Sequence, residues 1–187
     1  MNKIYFVRHA KPDFSVHDDL TRPLTEEGIE SSKRVAQFFN DKNITKMYSS
    51  PYLRSIDTIK VLSQNLGLEI ELVEDFRERT ISDRWIENFN DFAEKQWTDF
   101  TYKLEYGESL NEVQARNIKE LTKLLEENSN ENIVVGTHGT ALSTILNYFD
   151  PSFNLDSFRK IQSVMPWIAC LEFEGNELIS VENFLDI

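Results

Sequence analysis

The sequence predicts an α/β protein with three layers (α/β/α), a mostly parallel central sheet and a C-terminal hairpin. Three observations lead to this fold class. Short apolar runs typical of buried strands alternate with longer segments whose apolar residues recur at helical spacing. Strands that alternate with helices in this way form parallel sheets covered by helices on both faces. Near the C-terminus, two strand-like runs follow each other with only a short turn between them, which is typical of a hairpin.

The first elements are a strand at Ile4–Val7, a loop from about residue 10 to 24 and a helix that continues to about residue 40. The strand is a short apolar run of strong strand formers. Thr25 is a suitable N-cap for the helix. Glu26 and Glu27 then lie in the first turn, where their charges suit the positive end of the helix dipole.

The middle of the chain continues the alternation. A strand at Met47–Ser49 leads into a helix that starts at Ser50-Pro51, since proline is tolerated at the first helical position, and ends at Gly67. The remaining predicted elements are strands at Leu68–Val73 and Asn132–Thr137, helices at Ser109–Glu127 and Gly139–Phe149, and the hairpin strands Trp167–Phe173 and Leu178–Val181.

Length and composition restrict the class of protein. The 187 residues contain no repeat or linker, which predicts one domain over residues 1–187. The net charge of −12 argues against a nucleic-acid-binding protein. No apolar run approaches the roughly 20 residues of a membrane span, so no membrane association is expected. Cys170 is the only cysteine, which together with the composition predicts a cytoplasmic protein. The oligomeric state stays open.

Basic side chains and histidines follow three of the predicted strands. Arg8-His9 follows the first strand, Arg54 lies in the first turn after the second, and Thr137-His138-Gly139 follows the strand at Asn132–Thr137. The carboxyl ends of parallel strands meet at one edge of a sheet, where ligands bind. Arginine grips two phosphate oxygens at once, and a helix N-terminus receives anions. These positions therefore predict a phosphate site.

The chain also resembles the histidine phosphatase superfamily, which includes the cofactor-dependent phosphoglycerate mutases and many small phosphatases. The resemblance extends from residue 4 to about 146. The motifs that carry it, in order, are Arg8-His9-Ala10, Leu24-Thr25-x-x-Gly28, Ser49-Ser50-Pro51-x-x-Arg54, Phe76-x-Glu78-Arg79, Gly107-Glu108-Ser109 and Thr137-His138-Gly139.

The resemblance implies a role for each matching residue. His9 would be the phosphate-accepting nucleophile, with Arg8, Arg54 and His138 binding the phosphoryl group and Glu78 donating a proton to the leaving group. These five are the expected catalytic residues, and no metal and no cofactor are expected. The implied activity is that of a histidine acid-type phosphatase, a phosphoric monoester hydrolase that acts on a small phosphorylated metabolite through a phosphohistidine intermediate.

Three further residues are expected to bind substrate. Gly139 opens the helix that would receive the phosphate. Arg79 matches a substrate-contacting arginine of the mutases, although a salt-bridged surface position would explain it equally well. Lys11 lies in a loop that borders the substrate, where it and Pro12 replace the family's frequent Glu-Thr.

Two alternatives to hydrolysis stay open: a mutase that returns the phosphate to a sugar acid, and a non-catalytic protein that binds a phosphorylated ligand. A helical segment at about 80–106, with aromatic residues at helical spacing, is expected to determine specificity, either as an ordinary packing face or as a lid. Outside the motifs, His17 is expected to be exposed and Arg116 to be a solvated charge on its helix.

Overall fold

The computed structural model describes residues 1–187 and contains one six-stranded sheet with helices on both faces. The strands are β1 (Asn2–Arg8), β2 (Lys46–Ser49), β3 (Ile70–Leu72), β4 (Asn132–Thr137), β5 (Trp167–Glu174) and β6 (Glu177–Phe184). The helices are α1 (Glu26–Phe38), α2 (Leu53–Leu66), α3 (Phe89–Thr98), α4 (Leu110–Glu127), α5 (Gly139–Phe149) and α6 (Leu155–Ile161), with a short 3₁₀ helix at Glu74–Phe76.

The strand order in the sheet is β3-β2-β4-β1-β5-β6. The pairs β1–β4, β2–β4 and β2–β3 are parallel, whereas β5 runs antiparallel to β1 and β6 antiparallel to β5. The predicted fold class is therefore confirmed: the sheet is mostly parallel, and the C-terminal hairpin forms one of its edges. β1 is central and pairs on both sides.

The central strand β1 supplies both layers of the core. Ile4 and Phe6 belong to the apolar cluster that contains residues of α4, α5 and α6, while Tyr5 and Val7 belong to the cluster with α1 and α2. Full burial of an aliphatic or phenyl side chain stabilises the fold by about 1.5–3 kcal/mol. Both faces of β1 are thus fixed by packing, and its C-terminal end is a rigid support for the residues that follow.

The ends of several helices lie where the sequence predicts them. The Thr25 side chain accepts a hydrogen bond of 3.1 Å from the Gly28 N–H at the start of α1. Ser109 and Glu112 form a reciprocal capping box at the start of α4. Gly67 ends α2 with a φ of 66°, a left-handed conformation that glycine adopts without steric cost.

Three local expectations differ from the structure. Helix α2 begins at Leu53, because the Ser50 hydroxyl accepts the Tyr52 N–H and holds a turn before the helix. Helix α3 begins only at Phe89, so Trp85 lies outside it and is half-exposed. Helix α6 has no counterpart among the predicted elements. None of the helices combines the length and the apolar character needed to cross a lipid bilayer.

Candidate active site

A cleft with a volume of about 720 Å³ opens at the carboxyl ends of the parallel strands. Of the eight residues assigned to the site from sequence, the structure places six in the lining of this cleft: Arg8, His9, Arg54, Glu78, Arg79 and Gly139. His138 is fully buried beside His9, with their ring centroids 5.3 Å apart. The eighth, Lys11, does not line the cleft.

His9 lies immediately after β1, and its ring orientation is fixed by the main chain. Its Nδ1 lies 2.8 Å from the carbonyl oxygen of Ala10. A carbonyl can only accept, so Nδ1 carries the proton and Nε2 keeps a free lone pair. Burial, followed by the positive charges of Arg54 and Arg8, holds the pKa of His9 well below its usual value. His9 is therefore a neutral imidazole with an available nucleophilic nitrogen.

Arg8 is anchored by the end of helix α6. Its Nη1 donates to the carbonyl oxygens of Ile161 and Val164 at 2.7 and 2.9 Å, and its Nη2 donates to that of Gln162 at 2.9 Å. Burial lowers the pKa of Arg8 to about 10, so the guanidinium remains charged at neutral pH. A Cβ on Gly139 would come within 3.0 Å of this guanidinium, which would have to shift to accommodate it.

Arg54, in the first turn of α2, is held by Asp19 from the loop before α1. Its Nη1 donates to the Asp19 carbonyl oxygen at 2.6 Å, and its Nη2 lies 3.2 Å from the Asp19 carboxylate. The guanidinium also stacks 5.0 Å from the Tyr52 ring centroid. Burial lowers the pKa of Arg54.

Four buried polar atoms at the site have no hydrogen-bond partner within the chain. They are Nε of Arg8, Arg54 and Arg79, and Nδ1 of His138. The other ring nitrogen of His138 lies 2.7 Å from the Ser50 hydroxyl oxygen. Buried polar groups are normally paired, and an unpaired one costs about 1–3 kcal/mol. Their concentration around one cleft indicates a site built to receive a ligand rich in hydrogen-bond acceptors.

Glu78 lies at the N-terminus of α5. Its two carboxylate oxygens accept hydrogen bonds of 3.0 and 3.1 Å from the N–H groups of Thr140 and Ala141, and one of 2.8 Å from Arg79 N–H. The helix N-terminus that the sequence assigns to the phosphate is thus occupied by Glu78. This arrangement holds the carboxylate in the lining of the cleft that also contains His9.

Arg79 and Lys11 were both expected to bind substrate, but only Arg79 lines the cleft. Arg79 is almost fully buried and donates to the Gln96 side chain at 2.7 Å; its guanidinium lies 5.5 and 5.1 Å from the ring centroids of Phe89 and Phe92. It is therefore not a salt-bridged surface residue. Lys11 is exposed, and its Nζ forms a 2.6 Å ion pair with Glu27 on α1.

Arg22 is a cleft residue that the sequence analysis did not select. It is buried to 6 % exposure, and its donors reach the carbonyl oxygens of Val16 and His17 and the carboxylate of Asp19 at 2.6, 3.2 and 2.9 Å. We call Asp19, Arg22 and Arg54 the cleft cluster. No motif marks Arg22, because its partners are mainly carbonyl groups of its own loop.

A second group of charges fixes the segment that carries Glu78. The Glu108 carboxylate accepts hydrogen bonds from Arg116 and Arg77, and from the Thr80 N–H. Arg116 also donates to main-chain carbonyl oxygens of this segment. The expectation that Arg116 is a solvated charge is therefore wrong, because the segment folds over it. We call Glu108, Arg77 and Arg116 the loop cluster.

His17 and Trp85 form a stacked pair in the lining of the cleft. Their ring centroids lie 4.2 Å apart, with 9° between the ring planes. Both side chains are exposed, as predicted for His17. The pair joins the loop before α1 to the segment before α3. No group of three or more histidine, cysteine or acidic side chains is arranged to hold a metal ion.

Comparison with known proteins gives a family and several relatives. A profile described as the histidine phosphatase superfamily (branch 1) matches residues 4–183. A putative phosphoserine phosphatase 2 of Hydrogenobacter thermophilus is 25 % identical over 158 residues, covering 78 % of this chain and 77 % of that protein. A probable phosphoglycerate mutase of Yersinia pestis is 28 % identical over 161 residues, covering 79 % and 74 %.

Solved structures share the fold. Bacillus stearothermophilus YhfR superimposes with a TM-score of 0.81 at 19 % identity, over 96 % of this chain and 95 % of that one. A phosphoserine phosphatase from Entamoeba histolytica, in complex with phosphoserine, superimposes with a TM-score of 0.77 at 22 % identity, over 97 % and 96 %.

Proposed function

The chain belongs to the histidine phosphatase superfamily, and we propose that it hydrolyses small phosphomonoesters through a phosphohistidine intermediate at His9. The observation that carries the proposal is the state of His9: a buried neutral imidazole whose Nδ1 proton is bound by the Ala10 carbonyl, with Nε2 free to attack. Phosphoryl transfer needs such a nucleophile and positive charge around the phosphoryl oxygens. Arg8 and Arg54 bring that charge to the same cleft.

In the first step, Nε2 of His9 attacks phosphorus and the ester P–O bond breaks. The departing oxygen takes a proton from Glu78, which lines the same cleft. The Ala10 carbonyl oxygen accepts a hydrogen bond from the Nδ1–H of the positively charged phosphohistidine. General acid catalysis of this kind contributes roughly 10²–10⁴-fold.

In the second step, a water molecule attacks the phosphohistidine and the P–N bond breaks. Glu78, now a carboxylate, takes a proton from the water, and the two electrons of the P–N bond return to Nε2. Phosphate leaves and the site is restored. A mutase differs only at this point, because the hydroxyl group of a hydroxy acid attacks the phosphohistidine in place of water. The relationship to the Yersinia pestis mutase makes that reaction the second candidate.

The proposal includes several finer assignments. In enzyme-class terms, we propose that the protein is a histidine acid-type phosphatase, a phosphoric monoester hydrolase. We propose that residues 1–187 form one histidine phosphatase-like domain in which about 80–106 determines specificity, since Ile81, Trp85 and Phe89 from this segment line the cleft. We also propose a cytoplasmic location, because the single cysteine, Cys170, is free and buried.

The test is hydrolysis of p-nitrophenyl phosphate with EDTA present, comparing the wild type with His9→Ala. We expect turnover by the wild type and a loss of about 10⁴-fold or more in the variant, as for other nucleophile deletions. The wild type quenched in alkali during turnover should carry one phosphoryl group on His9. Wild-type activity abolished by EDTA, or equal turnover by the folded variant, would contradict the proposal. Adding a phosphoglycerate tests transfer to a hydroxy acid.

A further inference from the structure

Part of the cleft lining carries solvent-exposed side chains, aromatic ones among them, and we call this part the outer half. Phe14 and Trp85 line it and are 51 % and 52 % exposed, so their rings are only partly covered by the protein. Ile86 and Met165 are further apolar residues of the cleft lining. The volume of about 720 Å³ lies in the range of sites that bury drug-sized ligands. A phosphoryl group fills only a small part of it.

The stacked pair of His17 and Trp85 shows that the Trp85 indole can take a flat ring against one of its faces. The imidazole lies parallel to the indole, at a centroid distance of 4.2 Å and an interplanar angle of 9°. His17 is exposed on a loop and has no other aromatic partner. A flat ring of the substrate would make the same contact with the indole, and the two faces in contact would be buried.

The cations of the outer half already have partners. Three nitrogen atoms of Arg22 donate to the main chain and to Asp19. Arg84 is largely exposed to solvent and lies 3.5 Å from the Asp83 carboxylate. The unpartnered arginine nitrogens belong to Arg8, Arg54 and Arg79, which are close to His9 or Glu78 in sequence or space. The Arg22 guanidinium also lies 5.9 Å from the Phe14 ring centroid and 5.8 Å from that of Trp85. The outer half thus offers aromatic rings beside a cation that already has partners.

We propose that the preferred substrates are phosphomonoesters with a flat, apolar leaving group, whose ring stacks on Trp85 in the place of the His17 imidazole. This inference rests on the proposed function. It differs from the substrates named for the relatives, since phosphoserine carries two further charges and no ring. The phosphoryl group lies with His9, Arg8 and Arg54, and the ring extends toward the mouth of the cleft.

The experiment compares alkyl phosphates of similar leaving-group chemistry, so that only the size and polarity of the leaving group change. The wild type is assayed with 2-naphthylmethyl phosphate, propyl phosphate and phosphoserine. We expect kcat/KM for the naphthylmethyl ester to exceed that for each of the others by about tenfold or more, the effect of one aromatic stacking contact. Trp85→Ala should bring the ratio of naphthylmethyl to propyl ester close to one, and Trp85→Phe should restore part of it.

Two further variants complete the test. Tyr148→Ala removes an equally exposed aromatic side chain on α5, outside the cleft lining, and should leave the wild-type ratio unchanged. His17→Ala removes the ring that the substrate displaces and should lower KM for the naphthylmethyl ester. A raised KM would show that the imidazole is part of the binding wall and would overturn the displacement.

Equal kcat/KM for the naphthylmethyl and propyl esters, or faster turnover of phosphoserine, would overturn the substrate class while the proposed hydrolysis stands. A ratio unchanged in Trp85→Ala would also overturn it. No turnover of any ester by the wild type would instead refute the proposed function and this inference with it.

Discussion

The cleft cluster and the loop cluster have the same composition, one carboxylate and two arginines, but different surroundings. In the loop cluster the Glu108 side chain is 17 % exposed, and its partners are tied to the main chain of the segment that carries Glu78. In the cleft cluster both arginine side chains are buried, but the Asp19 side chain is 51 % exposed. A carboxylate open to solvent can be replaced by another anion, whereas an enclosed one cannot.

Under the proposed function, this difference separates a cluster that binds the phosphoryl group from a cluster that supports the fold. Asp19 neutralises part of the charge of Arg22 and Arg54 at the cleft surface, where an incoming phosphoryl group would compete for the same donors. Glu108 compensates Arg116 and Arg77 away from the cleft lining. Residue types alone do not distinguish these roles, but the exposure of the carboxylate does.

The largest expected effect is that of Arg54→Lys in the cleft cluster. Lysine loses the planar fork that contacts Asp19 and faces the cleft, so kcat/KM should fall by about 10²–10³-fold, the cost of one transition-state donor. Steady-state kinetics on p-nitrophenyl phosphate measures it. Arg77→Lys makes the same change in the loop cluster and should alter kcat/KM by less than about threefold. Similar losses of kcat/KM in both variants would remove the distinction between the cleft cluster and the loop cluster.

The second-largest effect is expected on the free energy of unfolding, from a substitution of Glu108 in the loop cluster. Burial raises the pKa of the Glu108 carboxyl, but hydrogen bonds from Arg116 and the Thr80 N–H outweigh it and leave the pKa below its usual value of 4.5. Glu108→Gln leaves Arg116 without its counter-charge and should lower the free energy of unfolding by about 3 kcal/mol at neutral pH. Since the unfolded chain binds the proton first as pH falls below 4.5, the advantage of the wild type should shrink there.

Urea denaturation of both proteins at pH 7 and at pH 4 measures this difference. Glu74→Gln is the matched control, since the Glu74 side chain is 71 % exposed and lies 3.8 Å from Arg77. It should change the free energy of unfolding by less than about 1 kcal/mol. A difference between wild type and Glu108→Gln that grows as the pH falls would show that the carboxylate is not stabilised in its charged form.

The smallest effect is expected for Asp19→Asn. Removing a half-exposed negative charge from Arg22 and Arg54 should strengthen the binding of inorganic phosphate by about three- to tenfold, with the gain reduced by salt. The inhibition constant of phosphate measures it. Asp83→Asn removes a charge of similar exposure from the outer cleft and should change this constant by less than about twofold. Weaker phosphate binding by Asp19→Asn would mean that Asp19 chiefly orients the arginines.

Much of the fold could be predicted from local signals. The apolar run at Ile4–Val7, the cap at Thr25 and the glycine at position 67 each depend on their immediate neighbours, and each lies where it was expected. Helix α6 was missed because seven residues are too few to show a periodicity. Its start depends on Asn154, whose side chain accepts the N–H groups of Asp156 and Ser157.

The place of a site residue was easiest to predict from spacing where the residue follows a strand closely. Arg8 and His9 continue from β1, so the sheet carries them to the cleft. Arg22 and Arg116 reach their partners through the folding of loops, which no spacing in the sequence records. Lys11 is close in sequence to residues that line the cleft, but it pairs with Glu27 and does not line the cleft itself. The roles assigned to the site residues remain predictions.

The exposed position of Trp85 has an optical consequence. The chain has three tryptophans, and the other two, Trp97 and Trp167, are 8 % and 1 % exposed within the core. Trp85 alone is in contact with both solvent and the cleft lining. Its indole therefore provides a natural fluorophore at the entrance, and emission changes on adding a ligand would follow occupancy of the cleft without any attached label.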